Sequence, residues 1–139
     1  MYRFFHPIEV RYGDLDPQGH VNNAKYLTYF EQARVRYLTE LGLFSRTQSF
    51  SELGVIIADI HIKFEAPVFW GVPLKAGVRT ARIGRKSLTI EQCLVDAEGG
   101  KVYAVATVVL VAYDYSRHET VPVPENWRQS ISEFEVTAG

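Results

Sequence analysis

The sequence predicts an α+β domain in which one long helix lies across an antiparallel sheet. One stretch carries apolar residues three and four positions apart, which is typical of an amphipathic helix. Several later stretches alternate apolar and polar residues, as strands with one buried face do. Helices and strands do not alternate along the chain, so a doubly wound parallel sheet is not expected.

The length and charge of the chain limit its partners. With 139 residues, of which 47% are hydrophobic, we expect residues 1–139 to form a single domain. Fifteen basic and 16 acidic residues give a formal net charge of −1, so no protein-wide field attracts nucleic acid or a membrane surface.

The sequence shows no signal peptide and no apolar run of the about 20 residues that cross a bilayer. We therefore expect a cytoplasmic protein.

The long helix is predicted from about residue 23 to residue 41, which is about five turns or roughly 28 Å. Asn22 or Asn23 can cap it by accepting a hydrogen bond from a first-turn amide, and Gly42 can end it in a left-handed conformation. The apolar residues of its buried face are Tyr26, Leu27, Phe30, Ala33, Tyr37, Leu38 and Leu41.

Five segments are predicted to be strands. The first is indicated by the alternation of Ile8, Val10 and Tyr12 and ends at a turn-rich segment. The last is apolar on both faces, so we expect it inside the sheet with cover on both sides. One helix covers only part of a five-stranded sheet, so we expect a homodimer or homotetramer to cover the rest. The later strands are predicted at about 56–64, 74–83, 87–96 and 102–115.

Smaller features complete the predicted domain. The single cysteine, Cys93, lies in an alternating run and is expected to be a packed, unreactive thiol. Pro124 suits the first position of a short terminal helix with Trp127, Ile131 and Phe134 on one side. The histidine spacing does not suggest a metal site, so we expect neither a metal nor a redox cofactor.

The polar stretch "GDLDPQGHVNNAKY" before the long helix contains the strongest candidate for catalysis. Asp16 precedes the helix start by about seven residues, with a proline and a glycine between them that permit a sharp turn. First-turn amides have no partner within a helix and, with the helix dipole, favour negative charge. A carboxylate facing such amides suits acyl transfer, because the amides polarise a carbonyl while Asp16 attacks its carbon or takes a proton from water.

An ordinary carboxylate is a weak base and a weak nucleophile, so this arrangement suits a substrate with a good leaving group. A thioester fits, since a thiol with a pKa of about 8.5 leaves far more readily than an amine or an alcohol. The structural alternative is that the polar residues only form turns and caps. We expect that role for Asp14, and we expect His20 to shape the loop.

The segment "RYGDLDPQGHVNNAKYLTYFEQAR" resembles the N-terminal motif of hotdog-fold acyl-CoA thioesterases of the 4-hydroxybenzoyl-CoA thioesterase type. The order of elements over about residues 5–115 is also similar. The resemblance implies that Asp16 is the catalytic carboxylate and that the amide around Asn23 holds the thioester oxygen. It places Tyr12 where related enzymes carry an active-site tyrosine. Some members have a histidine and others a tyrosine in place of Asn23, so the backbone role alone carries over.

The densest basic cluster is predicted at a turn between two strands, in "ARIGRKSLTIE". Arg82, Arg85, Lys86 and Ser87 can hold the phosphates of CoA by charge-assisted hydrogen bonds. The alternative is a soluble hairpin tip with no ligand. In enzymes that the chain resembles, CoA runs over basic residues of this strand region at a subunit interface, which favours the binding role.

The sequence thus predicts an acyl-CoA thioesterase that acts through Asp16 and binds acyl-CoA at a subunit interface. One alternative is a hotdog dehydratase or hydratase of acyl thioesters, which the absence of a histidine inside the helix disfavours. Another is a non-catalytic acyl-CoA binding module, since a fold does not determine a function. The sequence does not distinguish aliphatic from aromatic acyl groups, or CoA from acyl-carrier protein.

Overall fold

The computed structural model describes residues 1–44 and 53–136. Most of the connection between the predicted long helix and the second predicted strand lies outside the described residues. A 3-10 turn, Tyr12–Asp14, precedes the long helix. The helices are α1 (Asn23–Glu40) and α2 (Glu125–Val136), and the strands are β1 (Phe4–Ile8), β2 (Leu53–Phe64), β3 (Leu74–Ile83), β4 (Ser87–Asp96), β5 (Val102–Asp114) and β6 (Glu119–Thr120).

Five long strands form one antiparallel sheet in the order β1-β3-β4-β5-β2, and the two-residue β6 pairs with the end of β5. β3 and β4 have the predicted bounds and form a hairpin around residues 84–86. α1 packs against β3 and β1 on one face of the sheet. The predicted α+β class, with a long helix on an antiparallel sheet, is confirmed.

α1 has the predicted ends. Its N-cap is Asn22, whose Oδ1 accepts a hydrogen bond from the Ala24 N–H at 2.9 Å, so Asn23 is the first helical residue. Gly42 follows the helix in the left-handed region, with a φ of 81°. The predicted buried face is correct except at one position, because Leu27 is 45% exposed and Tyr29 is buried instead.

A buried hydrogen-bond network between α1 and β4 fixes the position of α1 on the sheet. Arg34 Nη1 donates to Gln92 Oε1 at 3.1 Å, and Gln92 Nε2 donates to the carbonyl oxygen of Phe30 at 2.9 Å. Burial lowers the pKa of Arg34, and the nearby Glu31 carboxylate opposes this effect. Because both ends of the Gln92 amide have partners on α1, sliding the helix along β4 would leave buried polar atoms unpaired.

The first strand lies earlier in the chain than predicted. β1 pairs with β3 from Phe4 to Ile8, whereas Tyr12 lies in the 3-10 turn and its side chain is 74% exposed. The Arg11 N–H and guanidinium both donate to the Asp14 carboxylate, which closes this turn and ends the extended conformation. The alternation of apolar residues therefore continued past the end of the strand.

β5 is an interior strand, as predicted, but its cover is one-sided. Ala104, Val108 and Leu110 are buried beneath the helices, while Val102 and Val105 on the opposite face are 42% and 37% exposed. Among the described residues no element covers this second face, so the predicted two-sided cover is wrong for one chain.

The remaining predictions concern α2, Cys93 and membrane spans. Trp127 and Ile131 are buried, and Phe134 packs edge-on against Tyr37, so the predicted apolar side of α2 is confirmed. Cys93 is buried, and this burial raises the pKa of its thiol. No helix within 1–44 and 53–136 is long and apolar enough to cross a membrane.

Candidate active site

Two loops meet at the amino end of α1. The loop from residue 13 to residue 22 leads into the helix, and the loop from residue 65 to residue 73 connects β2 to β3. The Val21 N–H donates to the carbonyl oxygen of Val68 at 2.8 Å, and His20 forms a bridge with Phe69. These contacts fix the first loop against the second, so the groups it carries have defined positions.

Asp14 is the buried residue that fixes the first loop to α1. Its side chain is 1% exposed and accepts hydrogen bonds from the Tyr29 hydroxyl at 2.7 Å and from the Arg11 N–H at 3.1 Å. Burial alone raises the pKa of this carboxyl, but the hydrogen bonds from Tyr29 and Arg11 outweigh it and hold the pKa below its usual value. Asp14 is thus a buried structural carboxylate, as the turn-forming role expected for it requires.

Asp16 occupies a different environment, at the surface of the same loop. Its side chain is 18% exposed. Oδ1 accepts a hydrogen bond from the Gln18 N–H at 2.9 Å, and Oδ2 lies 3.3 Å from His20 Nδ1. Gly19, with a φ of 88°, lets the chain turn back so that His20 reaches the carboxylate. The carboxylate is therefore oriented by two groups while it remains accessible.

The helix start beside this loop offers a free amide. The Ala24 N–H donates to the Asn22 side chain, and the Lys25 N–H donates to the Asn22 carbonyl oxygen. The Asn23 N–H, in contrast, has no acceptor among the described residues. A free amide at this position, with the helix dipole behind it, favours a carbonyl oxygen that gains negative charge.

Two open grooves lie on either side of His20. One, of about 250 Å³, is lined by His20, Asn23, Tyr26 and Phe64 among others. The second, of about 470 Å³, is lined by Tyr12, Leu15, Asp16, Pro17 and Gly19. The predicted residues Asp16 and Asn23 thus line neighbouring grooves, and His20 lies between them because it contacts Asp16 and lines the groove of Asn23.

Tyr12 lies at the rim of the Asp16 groove. Its ring packs edge-on against the exposed Trp70 ring, with the ring centres 5.5 Å apart. Phe69, the neighbour of Trp70, packs in the same manner against His20 at 6.2 Å. Sequence reasoning missed Phe69 and Trp70, because residues in a loop after a strand carry no periodic signal that assigns them to a site.

The predicted CoA-binding residues lie at the other end of the sheet. Arg82, Arg85, Lys86 and Ser87 surround the β3–β4 turn, whereas β3 begins beside the loops that hold Asp16. A strand of ten residues spans about 33 Å. The basic cluster and Asp16 therefore do not meet within one chain.

This arrangement of carboxylate, free amide and covering helix agrees with the comparison to known families. Residues 10–131 match the model of the thioesterase-like superfamily. The chain belongs to the thioesterase-like superfamily. It is a thioester hydrolase, and the hotdog fold expected from the sequence is confirmed.

Three proteins are similar to this chain over most of its length. A crystal structure of a Thermus thermophilus thioesterase, complexed with coenzyme A and zinc, is 31% identical, with a TM-score of 0.83 over 97% of this chain and 96% of that one. The long-chain acyl-CoA thioesterase FadM of Escherichia coli is 25% identical over 91% of this chain and 96% of its own. A chloroplastic acyl-acyl carrier protein thioesterase of Arabidopsis thaliana is 27% identical over 94% of this chain and 70% of its own.

Two contacts of this thioesterase were missed by sequence reasoning. One joins His20 to Asp16, and the signal for it was a histidine four residues after an aspartate with a glycine between them. The other joins Arg128 on α2 to the β3–β4 turn, and no sequence signal connects residues 44 positions apart. Within the part of the chain that the structure describes, no group of three acidic, histidine or cysteine side chains is arranged to hold a metal.

Proposed function

We propose that this thioesterase hydrolyses acyl-CoA to a free carboxylic acid and CoA, with Asp16 as the catalytic carboxylate. The observation that carries the proposal is the accessible Asp16 carboxylate, oriented by the Gln18 N–H and by His20, which also lines the groove of Asn23. The names of the Thermus and Escherichia relatives support CoA as the thiol part of the substrate. Within the superfamily we propose the 4-hydroxybenzoyl-CoA thioesterase type, a single domain over 1–139 and a cytoplasmic location, as expected from the sequence.

The reaction needs a polarised carbonyl and an oxygen nucleophile. The Asn23 N–H would donate to the thioester oxygen and stabilise the negative charge that develops on it. In one route Asp16 takes a proton from a water molecule, whose oxygen attacks the carbonyl carbon. In the other, Asp16 attacks directly and water hydrolyses the resulting anhydride. In both, the C–S bond breaks and the thiolate leaves and takes up a proton.

The remaining residues have positioning roles in this proposal. His20 can donate from Nδ1 to Asp16 and so fix the orientation of the carboxylate. Tyr12 would line the path to the reacting carbon from the rim of the larger groove. Because the two grooves are neighbours at His20, a thioester bound at Asn23 would place its acyl group in one and its thiol arm in the other.

A homodimer would complete the binding site. β2 has twelve residues and pairs with β5 on one side, and among the described residues nothing pairs with its other side. Ile56, Ile57 and Phe64 on this edge strand are 43%, 45% and 47% exposed. A long unpaired edge with exposed apolar side chains is an association site unless it is covered, and two-fold pairing with a second copy covers it.

Such a dimer would also bring the basic cluster to the site. β2 starts opposite Asp114, at the end of the sheet where the β3–β4 turn lies, and finishes at Phe64 beside the groove of Asn23. Antiparallel pairing of two β2 strands places the start of one beside the end of the other. The partner's basic turn would then lie at the Asp16 end, where Arg82, Arg85, Lys86 and Ser87 can bind the phosphates of CoA.

The test is a thiol-release assay of the purified protein over short, medium, long and aromatic acyl-CoAs, with crotonyl-CoA followed by its enoyl absorbance. The proposal predicts thiol release from at least one acyl class. Loss of the enoyl absorbance without thiol release would indicate a dehydratase or hydratase. Binding of acyl-CoA without either reaction would indicate a binding module, and both of these results would overturn the proposal.

A further inference from the structure

α2 is fastened to the β3–β4 turn by one arginine. Arg128 Nη2 donates to the carbonyl oxygen of Gly84 at 2.6 Å and to that of Arg85 at 3.1 Å. The Arg85 carbonyl oxygen also accepts from the Val123 N–H at 2.9 Å, just before α2 begins. The turn is therefore held by a residue 44 positions away in sequence, from a different layer of the fold.

The carbonyl oxygens of Lys86 and Ser87 are also engaged, like those of the two residues before them, and the cationic side chains of the turn have no charged partner among the described residues. The Lys86 carbonyl oxygen accepts from the Ala112 N–H at 2.8 Å, and the Ser87 carbonyl oxygen accepts from the Gly84 N–H at 2.7 Å. Lys86 Nζ lies 3.1 Å from a neutral acceptor, Thr120 Oγ1. No acidic side chain of the described residues forms an ion pair with the cations of this turn, so their charge remains available to an anion.

α2 is a rigid support for Arg128 because both of its ends are fixed. Trp127, next to Arg128, is 4% exposed, and Ile131 one turn later is 1% exposed. In the last turn, the Glu135 carboxylate accepts hydrogen bonds from the Tyr37 hydroxyl and, at 2.8 Å, from the Thr80 N–H. Arg128 therefore holds the turn from an element that is packed along its length.

The hydrogen-bond acceptors of Arg128 do not neutralise its positive charge. Its partners at the turn are two carbonyl oxygens, which are neutral, so its guanidinium adds a positive charge beside Arg82, Arg85 and Lys86. A preorganised set of donors and charges binds phosphate more tightly than a flexible one, because less conformational entropy is lost on binding.

We propose that Arg128 is a positioning residue for substrate binding, which fixes the β3–β4 turn and adds to its positive potential so that the turn can bind the phosphates of CoA. This inference rests on the proposed function, since it assigns CoA to that turn. It makes the terminal helix α2 part of the substrate-binding apparatus, although α2 lies far from Asp16 in its own chain.

The test compares two substrates that share an acyl group but differ in the thiol. One is an acyl-CoA and the other is the acyl ester of N-acetylcysteamine, which has no phosphates. For Arg128→Gln we expect KM for acyl-CoA to rise about tenfold with kcat unchanged, while kcat/KM for the short thioester stays within twofold. Arg128→Lys, which retains the charge on a single donor nitrogen, should recover part of the loss.

Controls separate this role from a general structural one. Arg79→Gln removes an equivalent charge from the open face of the sheet, where Arg79 pairs with Glu91, and should leave both substrates unaffected. An equal loss of kcat/KM on both substrates for Arg128→Gln would mean a merely structural role and would overturn the inference. An unchanged KM for acyl-CoA would overturn it too.

Two further measurements distinguish failure of this inference from failure of the proposed function. Arg85→Ala and Lys86→Ala should also raise KM for acyl-CoA, and if they do not, the turn does not bind CoA and the inference fails with that assignment. Titration calorimetry of CoA alone does not depend on turnover. Weaker binding of CoA to Arg128→Gln supports the inference even in a protein without thioesterase activity, and unchanged binding contradicts it.

Discussion

Asp14 and Asp16 are two residues apart in sequence, and their surroundings give them different roles. Asp14 is buried and accepts hydrogen bonds from Tyr29 and Arg11, so its oxygens are committed to the fold. Asp16 is partly exposed beside a groove, with His20 and a backbone N–H as its partners. The first is expected to contribute to stability and the second to catalysis.

Replacing Asp14 with asparagine should destabilise the protein by about 1.5 to 3 kcal/mol at pH 7, because hydrogen bonds to a charged group are weakened. The folded protein holds the pKa of Asp14 below its usual value. Its contribution is therefore fully present above the unfolded pKa of about 3.9 and is lost as the pH falls through the lower folded pKa. Urea unfolding of both proteins from pH 7 down to pH 3 should show the difference shrinking only below about pH 4.

The control is Glu98→Gln, at an exposed glutamate between β4 and β5. This variant should unfold within about 0.5 kcal/mol of the wild type at every pH. A wild-type advantage over Asp14→Asn that stays constant down to pH 3 would contradict the assignment.

At the residue scale, the sequence was enough to propose candidate residues for the site. It was not enough to predict the contacts that depend on how the chain folds. The spacing of Asp16 from the helix start, with proline and glycine between them, was enough to propose a carboxylate near first-turn amides. The contact of His20 with Asp16 depends on the conformation of Gly19, and that of Arg128 with the β3–β4 turn depends on how α2 docks. Neither the conformation of Gly19 nor the docking of α2 is determined by the local residue pattern.

At the scale of the helix, two adjacent asparagines allow a sharp test of capping against catalysis. Asn22→Ala should lower the free energy of unfolding by about 1 kcal/mol, because the Ala24 N–H loses its acceptor. Asn23→Ala should leave stability nearly unchanged and, since its proposed contribution is the backbone N–H, should leave kcat within about threefold of the wild type. Thermal unfolding and thiol release on the two variants check both statements.

A large loss of kcat in Asn23→Ala would mean that the side chain takes part in the reaction, contrary to the proposed amide role. Equal destabilisation by both substitutions would contradict the assignment of Asn22 as the cap.

The elements themselves were predicted well where turn signals bracket them. Glycine and basic residues at 84–86 separate two alternating runs, and β3 and β4 have the bounds expected from that signal. β1 was placed too late because apolar alternation continued to Tyr12, whereas the hydrogen bonds of Asp14 turn the backbone earlier. Pairing with β3, which decides the true bounds, is a contact about 70 residues away.

For the whole molecule, the exposed edge of β2 predicts an obligatory dimer. Ile57→Lys places a charge on this edge and should yield a monomer of 15.8 kDa in sedimentation experiments. The monomer should lose the partner's basic turn, so KM for acyl-CoA should rise by about tenfold. A wild-type protein that sediments as a monomer, or an Ile57→Lys dimer with normal KM, would contradict this arrangement.

A second substitution separates a dimer from a tetramer. Val105 lies on the open face of the sheet and is 37% exposed. Val105→Lys should leave a β2-paired dimer intact, whereas it should convert a tetramer that is built through the open face into dimers.

The central claim is that Asp16 is the catalytic carboxylate, and its most direct test is thiol release by Asp16→Asn at saturating acyl-CoA. The variant should fold with an unchanged Tm and bind CoA normally, while kcat falls at least 100-fold, as is typical for loss of a positioned acid or base. Glu98→Gln, measured beside it, should retain the wild-type kcat. A folded Asp16→Asn protein that releases thiol at the wild-type rate would contradict the claim.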